Sequence, residues 1–157
     1  MPAKEIERCV VLYVEDYDAI AYLFQMALGK TGLAPQVFRV TDGEQATAFL
    51  CQVGLYESAP RPNLVLLDLN LPRKSGFDVL AEMKGNPRLH DIPVVVFSSS
   101  KLQYDRERAL NLGAEDYLNK DTDFDGLVDA AESVCKRLTA GTVIPDKAGD
   151  GPLANDV

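Results

Sequence analysis

Five short apolar runs recur along the chain: CVVLYV at 9–14, PQVFRV at 35–40, NLVLLDL at 63–69, PVVVFS at 93–98 and AEDYLN at 114–119. Each has the length of a strand. The first, third and fourth are nearly continuous in valine and leucine, the pattern of strands whose two faces are both covered in a parallel sheet. The second and fifth are more polar, which places them nearer the edges.

Between these runs the spacing turns helical. Ile20, Leu23, Phe24, Ala27 and Leu28 predict a helix over 17–30, with Gly29 and Gly32 as stop signals. Thr41 and Asp42 can cap a second helix carrying Ala46, Phe49, Leu50 and Val53. Ser75 can cap a third carrying Val79, Leu80 and Met83, which stops near Gly85 and Pro87. A fourth, weaker in pattern, runs over 102–112 to Gly113, and a fifth carries Phe124, Leu127, Val128, Ala131, Val134, Cys135 and Leu138. Five strands alternating strictly with five helices need right-handed crossovers, and the expected fold is α/β with a doubly wound five-stranded parallel sheet. Functional residues of such sheets lie outside the carboxyl ends of the strands.

A chain of 157 residues supports one such domain, expected at 9–138 after a short lead at 1–8. The segment 139–157, rich in Gly, Pro and Asp, reads as an extension or arm rather than an output domain. Its Val143, Ile144 and Pro145 form an apolar knot able to dock on the body or on a partner. Apolar residues at 46% and charged residues at 25% exclude wholesale disorder. A formal charge of −8 opposes nucleic-acid binding. MPAKEIER lacks the apolar core of a signal peptide and no stretch approaches the ~18 apolar residues of a membrane span, so a cytoplasmic protein is expected. Cys9, Cys51 and Cys135 are odd in number and lack metal-ligand spacing, as small core residues in a reducing compartment would be.

The strand ends hold the chemistry. Glu15 and Asp16 follow the first strand, Asp68 ends the third, Ser98 and Ser99 end the fourth, and Lys120 follows the fifth. Three carboxylates in one crevice repel one another unless a cation neutralises them, and a hard, oxygen-seeking divalent ion such as Mg²⁺ suits them. Asp16 and Asp68 are the expected ligands, with Glu15 acting mostly through water and the backbone carbonyl of Asn70 completing the protein's share. Lys120 offers an ammonium and Ser98 a hydroxyl to a phosphoryl group. These parts describe phosphoryl transfer onto Asp68, a nucleophile that needs no general base because it is ionised at neutral pH.

At this point VLYVED, LVLLDLNLP, VVVFSS and DYLNK, in this order and with spacings of 30 from Asp68 to Ser98 and 52 from Asp68 to Lys120, resemble the receiver domain of bacterial two-component response regulators. The resemblance covers 9–138 and implies a (βα)5 flavodoxin-like fold. It also implies an aspartyl phosphate received from a sensor histidine kinase in a Mg²⁺-dependent reaction, in a switch protein rather than a turnover enzyme. Tyr117, three residues before the lysine, falls on the family's aromatic switch position, whose ring turns inward as Ser98 moves toward the phosphoryl group. APRPNL, DLNLPRKSGFDVLAEMK and TVIP look like the stand-alone receivers that partner bacterial phytochromes, which makes a bacteriophytochrome the expected kinase. Output is then expected through contacts, with a homodimer formed by the fourth helix, fifth strand and fifth helix or by the arm.

Two departures stand out. Asp121 follows Lys120 where the family usually has proline, so a trans peptide and an altered loop are expected. Ser98 replaces the commoner threonine and is freer in χ1.

Taken singly, the acidic pair reads as a helix cap, Lys120 as a surface lysine, Ser98 as a polar strand exit and Tyr117 as a core aromatic. A Mg²⁺-dependent phosphohydrolase of the haloacid dehalogenase type shares the strand-end aspartate but needs a second aspartate two residues on, where Asn70 stands. A receiver-like binding module that works without phosphorylation is the other alternative. His90 precedes the fourth strand and so lies at the sheet edge opposite Asp68, which assigns the donor histidine to another protein.

Overall fold

The computed structural model describes residues 2–143. Strands β1 (Val10–Val14), β2 (Gln36–Val40), β3 (Leu64–Leu67), β4 (Val94–Ser98) and β5 (Asp116–Asn119) form one parallel sheet in the order β2-β1-β3-β4-β5. The two more polar runs are the two edge strands, because only the central three must be covered on both faces along their whole length. The helices are α1 (Pro2–Glu7), α2 (Asp18–Lys30), α3 (Gly43–Cys51), α4 (Gly76–Gly85), α5 (Gln103–Asn111) and α6 (Phe124–Val143).

Strand alternation splits the core in two. Leu12, Val14, Val65, Leu67, Val94 and Val96 pack with α3, α4 and α5, while Val11, Tyr13, Leu64, Leu66, Val95 and Phe97 pack with α2 and α6. Each fully buried side chain of this size contributes roughly 1.5–3 kcal/mol. The caps are those expected: Asp42 accepts the Gln45 N–H at 2.7 Å and Ser75 accepts the Asp78 N–H at 3.2 Å. Ser75→Ala will lower stability by about 1 kcal/mol, read as a lower urea midpoint.

The helix count differs from expectation. The lead at 1–8 contains α1, whose Ile6 is buried in the α2/α6 core. Six residues are too few to show a helical period. Val53 is not on α3: the helix closes at Gln52 in the left-handed region (φ 57°), and Val53 is 53% exposed. Its i+4 distance from Phe49 imitates helical spacing. Gly29 lies inside α2, and the turn falls at Gly32 (φ 75°). Helix α6 runs past Leu138 to Val143, while Ile144 and Pro145 of the arm lie outside the described residues. Cys9 and Cys135 are buried and Cys51 is exposed, so only two of the three are core residues.

Candidate functional site

Strand register assembles the site. Val14 pairs with Leu67, so Glu15 and Asp68 leave β1 and β3 side by side, and the Asp68 N–H donates to the Val14 carbonyl at 3.1 Å. Ser98 pairs with Asn119, so Lys120 emerges next to Ser98 and its N–H donates to the Ser98 carbonyl at 3.0 Å. Carboxylate oxygens of Glu15, Asp16 and Asp68 lie within 4.8 Å of one another. Lys120 Nζ sits 2.8 and 3.1 Å from the two Glu15 oxygens and 3.1 Å from Asp68 Oδ2. Glu15 and Asp68 are buried while Asp16 is exposed, so the cluster opens to solvent on the Asp16 side.

Three carboxylates against one ammonium leave two negative charges, which a divalent cation offsets, and the donors are all oxygens. The residues therefore fit a hard divalent ion. Burial, and then the Asp68 charge, push the Glu15 carboxyl above its ordinary range against the opposing hydrogen bond and charge of Lys120. The folded, metal-free protein thus holds this proton to higher pH than the unfolded chain does. Glu15 consequently lowers stability as pH rises from the ordinary glutamate range through its raised value. Urea midpoints of Glu15→Gln and the natural protein, measured across that range without metal, will diverge in the variant's favour as pH rises.

Asn70 is exposed, and its N–H donates to Asp68 Oδ1 at 3.3 Å. Ser98 is wholly buried, and its Oγ accepts the Ser100 N–H at 3.1 Å. Tyr117 is buried, its hydroxyl donating to the Ser100 carbonyl at 3.0 Å, with the Arg106 guanidinium carbon 5.8 Å from the ring centroid. Ser100 thus joins Ser98 to Tyr117. The Lys120–Asp121 peptide is trans, and Asp121 closes a turn by donating its N–H to Asn119 Oδ1 at 2.7 Å. Its carboxylate pairs with Lys101 at 3.4 Å. His90 is exposed in the α4–β4 connection, at the sheet edge opposite the cluster.

Two contributors escaped the sequence reading. Gly76 leaves no room for a side chain, since a β-carbon there would overlap the Asp68 carbonyl and crowd the Leu69 α-carbon, and its N–H donates to the Leu69 carbonyl at 2.9 Å. Glycine directly after the Ser75 cap was the available signal. Arg73 takes a left-handed conformation (φ 69°) and reaches the Asp42 carboxylate at 3.3 Å, pinning the loop that follows Asp68.

The described residues contain no helix long and apolar enough to cross a membrane. The response regulator receiver domain matches residues 11–132. Response regulator Rcp1 of Synechocystis sp. is 47% identical over 111 residues, covering 71% of this chain and 76% of that protein. The fold is similar to the Mn²⁺-bound form of Rcp1, with TM-score 0.74 and 42% identity over 80% of this chain and 91% of that one. It is similar also to the phosphorylated cyanobacterial phytochrome response regulator RcpA, with TM-score 0.75 and 39% identity over 81% of this chain and 91% of that one. The bacteriophytochrome response regulator AtBRR follows at TM-score 0.69 and 36% identity, over 80% of this chain and 91% of that one. The five-stranded flavodoxin-like sheet, the acidic cluster at its carboxyl edge and the match over 11–132 place this chain in the response regulator receiver family of two-component signalling.

Proposed function

We propose that Asp68 takes a phosphoryl group from a sensor histidine kinase in a Mg²⁺-dependent reaction, and that the modified protein signals through altered protein contacts. One observation carries this reading: Asp68 is a buried carboxylate held between Lys120 and two further carboxylates at the carboxyl edge of the sheet. In the transfer, an Asp68 oxygen forms a bond to phosphorus as the donor's P–N bond breaks, and the imidazole leaves neutral after taking a proton.

Asp16 and Asp68 would hold Mg²⁺, with Glu15 acting through water and Asn70 offering its carbonyl. Bound there, Mg²⁺ supplies positive charge for the phosphoryl oxygens. Lys120 exchanges part of its hold on Glu15 and Asp68 for a phosphoryl oxygen, and the Ser98 hydroxyl donates to another. Movement of Ser98 pulls on Ser100, whose N–H it holds and whose carbonyl holds Tyr117, so the event reaches β5 and α5. Residues 9–138 form the receiver in this reading, with 139–157 as an arm.

The names of RcpA and AtBRR as phytochrome response regulators support a phytochrome-type kinase, bacterial or cyanobacterial. Output through the α5–β5–α6 face, to a second copy or another partner, is favoured by the exposure of Leu102, Tyr104 and Leu110 on and before α5. The free cysteines accord with a cytoplasmic setting, and the net charge of −8 argues against nucleic acid as the target. Asn70 cannot donate and recover a proton, which argues against the phosphohydrolase.

Acetyl phosphate with and without Mg²⁺, followed by intact mass and oligomeric state, tests the reading. A metal-dependent gain of one phosphoryl group is expected. No gain, and no binding of a beryllofluoride mimic, would favour a phosphorylation-independent binding module.

A further inference from the structure

The peptides on both sides of Glu15 are held from the edge strand next door. The Glu15 N–H donates to the Val40 carbonyl at 3.0 Å, extending the β1–β2 ladder past the end of β1. The Glu15 carbonyl accepts the Arg39 Nε–H at 2.9 Å. The same guanidinium crosses to the first turn of α2, with Nη2 2.8 Å from Asp18 Oδ1. Arg39 is the register partner of Tyr13 and so shares the sheet face of Tyr13 and Glu15. Its planar fork spans both ends of the 15–18 turn, which carries Asp16.

The two acids of that turn face different ways. Glu15 is wholly buried on Lys120, and Asp16 is exposed at the mouth of the cluster. Both directions depend on the plane of one peptide, and the carbonyl of that peptide is the one Arg39 holds. We infer that Arg39 is a positioning residue for the cation site, fixing the Glu15–Asp16 peptide so that Asp16 and Asp68 meet the ion while Glu15 stays on Lys120. The inference rests on the metal-dependent reading above.

Charge alone predicts the reverse. A guanidinium held on the Glu15 carbonyl adds positive charge near the cation site, so removing it without loss of geometry would tighten binding, and replacing it by lysine would change little.

The test is a Mg²⁺ titration followed by amide NMR shifts at positions 16 and 68 in the natural protein, Arg39→Met and Arg39→Lys. Amide dispersion reports folding in the same spectra. Arg39→Met is expected to bind Mg²⁺ roughly tenfold more weakly, the scale of losing a residue that orients a ligand. At saturating Mg²⁺ its phosphorylation rate from acetyl phosphate will return close to that of the natural protein. Arg39→Lys, which keeps the charge but lacks the fork that reaches both the Glu15 carbonyl and the Asp18 carboxylate, will show a smaller loss in the same direction. Binding by Arg39→Met that is equal or tighter overturns the inference. If Arg39→Met does not fold, unchanged binding by Arg39→Lys overturns it instead. Failure of the natural protein to bind Mg²⁺ would overturn the metal-dependent reading, and the inference with it.

Discussion

Asp68→Asn will take up no phosphoryl group from acetyl phosphate and Mg²⁺ under conditions that modify the natural protein, and its urea midpoint will not fall. The amide removes the nucleophilic oxygen pair while keeping the size of the side chain. It also removes one of three carboxylates whose oxygens lie within 4.8 Å, relieving repulsion in the metal-free protein. Lys120 keeps its two contacts to Glu15, so no buried ammonium is stranded. Phosphorylation undiminished by the change would show that another residue is the acceptor; a collapsed fold would show that Asp68 is structural.

Gly76→Val will destabilise the protein by about 1–3 kcal/mol, the range of overpacked positions, and will abolish phosphorylation even where the chain remains folded. A β-carbon at this position would overlap the Asp68 carbonyl and come within 2.7 Å of the Leu69 α-carbon, and both are backbone. The neighbour that must give way is therefore the peptide that aims the acceptor. Gly85→Ala supplies the contrast, because a β-carbon there meets nothing within 4 Å and alanine favours the helix end. Urea unfolding and intact mass on the pair will separate displacement of the Asp68 loop from a general cost of changing a helical glycine. Equal behaviour of the two variants would refute the assignment of Gly76.

The sheet could be read from the sequence because burial on both faces writes itself into unbroken runs such as LVLL and VVVF, and its edges because β2 and β5 carry Arg39, Asp116 and Asn119. Strand ends then locate Glu15, Asp68, Ser98 and Lys120 without any knowledge of side-chain conformation. Contacts that cross between elements leave no such trace. Nothing in PQVFRV says that its arginine reaches the carbonyl of Glu15, 24 residues earlier. Nothing in FSSSK says that the third serine links Ser98 to Tyr117. Gly76 looks like any glycine near a helix start until the approach of the Asp68 backbone is seen. Helix α1 escaped because Ile6 is its one buried apolar residue among those whose side chains are described, and a single position has no period.

The central claim is that Asp68 carries the phosphoryl group in a metal-dependent reaction. Borohydride reduction of protein treated with acetyl phosphate and Mg²⁺, followed by mass mapping of the peptides, tests it most directly, because an acyl phosphate is reduced to the corresponding alcohol. Homoserine at position 68, absent when Mg²⁺ is chelated, is the predicted result. Homoserine at position 16, or the same yield at position 68 with and without metal, would contradict the account.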